Sequence, residues 1–137
     1  KFTLDKLGNK INKYFGIDPY LSRYDKYDQM SYMSDEGMEY LYLYVLDKLQ
    51  KTNFQLLRTF SNLAVQSFAD RSIDAIYIDG DHTYDGVKKD ITLWEKKIVS
   101  GGIMVGDDYK RFEGVRKAVN ESFEKFDVIE NTWFKKL

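Results

Sequence analysis

Apolar positions recur along the chain with two periods, and their alternation lays out a series of elements. Met38, Leu41, Tyr42, Val45, Leu46 and Leu49 follow the i, i+3, i+4 spacing of a helix that buries one face. Ser34 ahead of them supplies a cap, and Asp35 and Glu36 place acids in the first turn. Val87, Ile91, Trp94 and Ile98 give the same spacing over Tyr84–Val99, and shorter helices are expected over Asn62–Ala69 and Gly114–Phe126. Apolar runs mark strands at Ile11–Ile17, Phe54–Phe60, Ile73–Ile78 and Ile103–Val105, the last entered through a turn at Gly101-Gly102. Phe2–Leu7 reads as the end of an amphipathic helix stopped by Gly8-Asn9. Tyr20–Met33 is tyrosine-rich and aperiodic, and is expected to be a loop with a helical turn at most. Val128–Glu130 and Trp133–Lys136 read as a closing antiparallel pair.

Strands and helices thus alternate until a final hairpin. That order predicts an α/β fold, a doubly wound and mainly parallel sheet with a C-terminal antiparallel hairpin. With no linker, repeat or low-complexity segment, residues 1–137 are expected to form a single domain.

Composition narrows the function classes. A formal net charge of −1 gives no basic field for nucleic acid or an anionic membrane. The absence of cysteine excludes disulfides, thiolate metal sites and cysteine nucleophiles, and fits a cytoplasmic protein. No apolar run approaches the roughly 20 residues needed to span a bilayer, so no membrane partner is expected.

In doubly wound sheets, ligands bind beyond the carboxyl ends of the strands. The residues at or just past those ends are Asp18, Ser61, Asp79 and Asp107, all polar. Asp18 offers two acceptor oxygens to a ribose diol, or it bonds its own backbone in an Asp-Pro turn; the residues alone favour neither. Asp79, Asp107 and Asp108 would repel one another if they converged, unless a hard cation such as Mg²⁺ lay between them. His82, the chain's only histidine, could accept a proton from a hydroxyl near neutral pH. Asp81 is expected to start a helix, while Trp94 and the tyrosines at 40, 42 and 44 belong to core and rim.

The stretches GIDPY, SIDAIYIDGDHTYDGVKKDITLW and GGIMVGDDY, followed by GVRKAV, resemble the class I S-adenosylmethionine-dependent methyltransferases. Within that class they are similar to the group with an IDGDHxYxGVxxD motif, and the long middle motif is the specific part. The resemblance implies a Rossmann-like sheet and S-adenosylmethionine as cofactor. It further implies that Asp18 holds the ribose, Ser61 lies beside the adenine and Asp79 stands near the methyl donor. Asp79, Asp107 and Asp108 match positions that carry Mg²⁺ in metal-assisted O-methyltransferases. His82 matches a base in some sugar O-methyltransferases, which implies a small-molecule hydroxyl as acceptor.

The sequence departs from the family in one respect. The first strand and its glycine-rich loop are not found; the nine glycines contain no GxG. Two explanations compete: an N-terminally truncated chain, or a rearranged sheet, as in a homo-oligomer whose partner copy supplies the strand. Truncation is preferred, because an exposed central strand edge invites aggregation. Two other functions compete with methyl transfer. Asp79 and Asp81 could form the Asp-x-Asp metal motif of a nucleotide-sugar glycosyltransferase, a scheme that leaves Gly102–Tyr109 without a role. A shortened domain could instead serve as a non-catalytic interaction module through its aromatic segment Tyr20–Tyr44.

Overall fold

Tyr14–Ile17 (β1) and Phe54–Leu57 (β2) pair in parallel, with Tyr14 opposite Phe54 and Ile17 opposite Leu57. The computed structural model describes residues 12–24 and 32–137. The helix expected at Phe2–Leu7, its Gly8-Asn9 stop, Ile11 and the middle of the Tyr20–Met33 loop lie outside the described residues. The chain divides into two compact units, one up to Phe60 and one from Ser61 onward.

In the first unit the chain crosses from β1 to β2 through α1 (Asp35–Leu49), as the hydrophobic spacing predicts. Ser34 caps it, its hydroxyl accepting the Gly37 N–H at 3.1 Å, and Asp35 and Glu36 fill the first turn. Met38 is buried, and Leu41, Tyr42, Val45, Leu46 and Leu49 are partly covered. Tyr40, Leu43 and Tyr44 on the other face are exposed. The period-3.6 reading therefore separates the two faces correctly.

The second unit holds the sheet β3-β4-β6-β5, formed by Ile73–Ile78 (β3), Ile98–Gly106 (β4), Asp127–Ile129 (β5) and Thr132–Lys136 (β6). β3 and β4 run parallel, and the two hairpin strands run antiparallel, β6 beside β4. A short helix, α2 (Ser61–Ala64), continues as a 3₁₀ turn through Ser67, while α3 (Tyr84–Glu95) and α4 (Glu113–Ser122) follow β3 and β4. Mixed parallel and antiparallel pairing around a βαβ crossover agrees with the expected fold class.

The strand β4 begins earlier than its apolar run suggests. It spans Gly101-Gly102 rather than starting after them, and α3 ends at Glu95 instead of reaching Val99. The reason is a bulge: pairing jumps from Ile73 opposite Ile98 to Ala75 opposite Ile103. Gly101, at φ +83°, supplies the left-handed residue that this irregularity needs.

Val87, Ile91 and Trp94 of α3 join Met104 of β4, Val115, Ala118 and Val119 of α4, and Trp133 of β6 in the buried core. Trp133 is 1% exposed and lies against Gly106, where a Cβ would come within 2.5 Å of the indole ring. Only glycine lets the indole lie that close. A polar chain runs along one side of this core. Ser61 Oγ donates to Asp90 Oδ1 at 2.7 Å and accepts Trp94 Nε1–H at 2.6 Å. Burial raises the Asp90 carboxyl above the ordinary carboxylate range, against the lowering effect of its Ser61 bond.

Two outcomes follow for stability. Trp133→Ala removes the largest fully buried side chain and should cost about 3–5 kcal/mol in urea unfolding. For Asp90 the folded state favours the protonated carboxyl, so its contribution is full below the unfolded value of about 3.9 and is lost as pH rises through the folded one. Asp90→Asn, which keeps an acceptor for Ser61, should therefore raise the urea midpoint at pH 7. That gain should shrink as the pH is lowered through the carboxylate range, and an equal gain at every pH would contradict the assignment.

Candidate active site

The carboxyl ends of β3 and β4 lie side by side, with Ile78 opposite Gly106 and Asp107 N–H bonded to the Ile78 carbonyl at 3.2 Å. This parallel register carries the motif after β3 and the Asp107-Asp108 pair to the same rim of the sheet. A recess there is lined by Asp79, His82, Asp107 and Asp108 over a floor that includes Val87 and Trp133.

The turn into α3 is built by its own polar residues. Asp81 Oδ1 accepts the Thr83 N–H at 2.7 Å, and Thr83 caps the helix by accepting the Gly86 N–H at 3.1 Å. Asp81 thus starts the helix, as its position suggests, and this is the local chemistry that fixes His82 beside the strand end. The His82 ring lies 4.3 Å from the Phe112 ring, tilted by 38°. Its Nε2 is 2.9 Å from Asp108 Oδ2, and both side chains are largely covered, at 13% and 15% exposure.

Asp79, His82 and Asp108 each place one ligating atom within 4.8 Å of the others. The structure therefore brings together two of the three carboxylates expected to share a cation, with His82 as the third member. Asp107 is turned to other partners. Its Oδ1 accepts Asp108 N–H at 2.8 Å and Asn131 Nδ2–H at 3.2 Å, and its Oδ2 accepts the Tyr77 hydroxyl at 3.1 Å. Partial burial, then the bond to Asp107, push the Tyr77 phenol up to about 12, so it remains a donor throughout the physiological range. Asp108 sits at φ +62°, in the left-handed region that aspartate tolerates better than most side chains.

The remaining predicted residues have local partners. Asp18 Oδ1 accepts the Tyr20 N–H at 2.6 Å, the bonding of an Asp-Pro turn. A carboxylate has lone pairs beyond the one that this bond uses. Ser61 spends its single donor on Asp90, and could meet a further group only as an acceptor. The residues that sequence reasoning passed over are Tyr77, Asn131 and Asp90. Tyr77 reads as one more apolar strand position, and Asn131 as an ordinary turn residue.

Comparison with known proteins fits this geometry. An uncharacterized protein of Acanthamoeba polyphaga mimivirus, R132, is 42% identical over 52 residues, a match covering 36% of this chain and 24% of that protein. The structure of the O-methyltransferase NovP superposes with a TM-score of 0.67 at 14% identity, over 90% of this chain and 59% of that one. The apo structure of CalS11, a TDP-rhamnose 3′-O-methyltransferase of calicheamicin biosynthesis, gives 0.61 at 12% identity, over 90% and 58%. This chain thus spans about a quarter of that curated relative and under three fifths of the CalS11 chain. At such identities the solved structures speak for the fold, which is that of the Rossmann-like methyltransferases. The profile described as a methyltransferase domain matches residues 3–109, most of the sequence, and the chain belongs to the class I methyltransferase family.

Proposed function

We propose that this protein transfers a methyl group from S-adenosylmethionine to a hydroxyl of a small molecule, with His82 as the general base. The observation that carries the reading is the 2.9 Å contact between His82 Nε2 and Asp108 Oδ2 at the rim where β3 and β4 end. The Asp108 carboxylate is placed to hold one ring nitrogen of the neutral imidazole, the form that accepts a proton. Asp108 then orients the ring and stabilises the imidazolium formed when the acceptor hydroxyl gives up its proton. The bound cofactor supplies a methyl group already activated on a sulfonium, which leaves the protein chiefly to align the acceptor and remove one proton. The family resemblance assigns Asp18 to the ribose, Ser61 to the adenine side and Asp79 to the neighbourhood of the donor. Each has acceptor capacity suited to that role.

A cation is the second reading, favoured by the convergence of Asp79, His82 and Asp108. Two carboxylates suit Mg²⁺, whereas the added imidazole suits Mn²⁺ or Zn²⁺ better. Such an ion would acidify a hydroxyl as a Lewis acid. In that arrangement His82 is a ligand and not the base, so the two readings differ in what His82 does. The glycosyltransferase scheme is less favoured, because the ligating atoms that converge are those of Asp79, His82 and Asp108, while Asp81 serves the helix start.

Calorimetry with S-adenosylhomocysteine tests the cofactor, and the full-length protein should bind it; no binding would sink the proposal. Once an acceptor is found by screening hydroxyl compounds, His82→Ala should lower kcat about 10²- to 10⁴-fold without weakening S-adenosylhomocysteine binding. If Asp79→Asn leaves turnover and metal dependence untouched, the cation reading fails.

A further inference from the structure

Asn131 stands in the two-residue turn between β5 and β6, where Ile129 pairs with Thr132 and Glu130 takes a φ of +55°. Its Nδ2 donates to Asp107 Oδ1 at 3.2 Å and to Asp108 Oδ1 at 3.0 Å. Its Oδ1 accepts the Lys110 N–H at 2.9 Å, and its backbone carbonyl accepts the Tyr109 N–H at 2.9 Å. One residue therefore bonds every position of the loop from Asp107 to Lys110.

The bond to Asp108 has a directional consequence. Asp108 Oδ1 is engaged by Asn131, and Oδ2 is the oxygen that meets His82 Nε2. We propose that Asn131 is a positioning residue, whose amide fixes the rotation of the Asp108 carboxylate and so aims Oδ2 at His82 Nε2. The proposal rests on the reading of His82 and Asp108 as the working pair. A neutral donor is suited to the task. It satisfies adjacent carboxylates without cancelling their charge, which a lysine or arginine at the same place would do. Arg111 Nη1 stands 4.0 Å from Asp108 Oδ1 with its side chain 64% exposed, so it contributes little. Tyr77 and Thr132 hold Asp107 with hydroxyls in the same neutral manner.

Asn131 lies outside the residues that match the family profile, and no quoted motif contains it. Its role comes from the hairpin alone. The core contact of Trp133 with Gly106 seats β6 against β4, which brings the preceding turn over the Asp107-Asp108 pair.

The single histidine makes the test direct, because a ¹⁵N-histidine label on this 137-residue chain gives signals from one imidazole. In the unmutated protein the Nε2 signal should be that of a hydrogen-bonded nitrogen. In Asn131→Ala, and in the near-isosteric and equally neutral Asn131→Leu, that signal should shift away from its hydrogen-bonded value. The indole signals of Trp133 report whether the hairpin stays seated. An unchanged Nε2 signal in both variants, with the hairpin in place, overturns the proposal. Should either variant unseat the hairpin, the unmutated protein decides. There the Asn131 side-chain NH₂ should be protected from solvent exchange, and rapid exchange overturns the proposal equally. Absence of S-adenosylhomocysteine binding by the unmutated protein would remove the methyltransferase reading while leaving the histidine signal to judge Asn131.

Discussion

The close contact of Trp133 with Gly106 is the constraint on which the second unit depends. It sits where β4 ends, and it couples two things that the chain encodes far apart. Below it lies the apolar core shared by α3, α4 and the sheet. Above it lies the polar rim that carries Asp79, His82, Asp107 and Asp108. A side chain larger than hydrogen at position 106 would force the indole outward and carry β6 with it. Packing and chemistry are therefore set by one interface.

The rim itself gathers negative charge largely against neutral partners. Asp107 and Asp108 are consecutive, and Asp79 lies across the neighbouring strand end. Their neighbours include amides, hydroxyls, a backbone N–H and one imidazole, with the exposed Arg111 guanidinium 4.0 Å from Asp108. Such donors hold geometry while leaving the field largely intact.

Much of the fold can be read from residue pattern. The face of α1, its Ser34 cap and the β3 run all follow from spacing, because each is a local preference that burial reinforces. The end of α3 and the start of β4 do not, since the bulge at Gly101-Gly102 arises from cross-strand pairing that no local window contains. The site divides in the same way. Asp79, His82 and Asp108 stand out because they directly follow apolar runs that read as strands. Asp107 looks equivalent to Asp108 in sequence, yet the left-handed backbone at Asp108 sends the two carboxylates to different partners. Asn131 carries no local signal, because its importance comes from the antiparallel return of β6.

That return also decides where the chain leaves the sheet. Leu137 is bonded at both ends of its peptide to β4, its carbonyl accepting Gly101 N–H at 2.7 Å and its N–H donating to Gly102 at 3.0 Å. Leu137 thus lies beside the middle of β4, roughly 15 Å along the strand from the acidic rim. An affinity handle or fluorophore joined after Leu137 would emerge away from the acidic rim of this unit. A surface grafted through that handle would present the carboxylates and the histidine outward, toward solution.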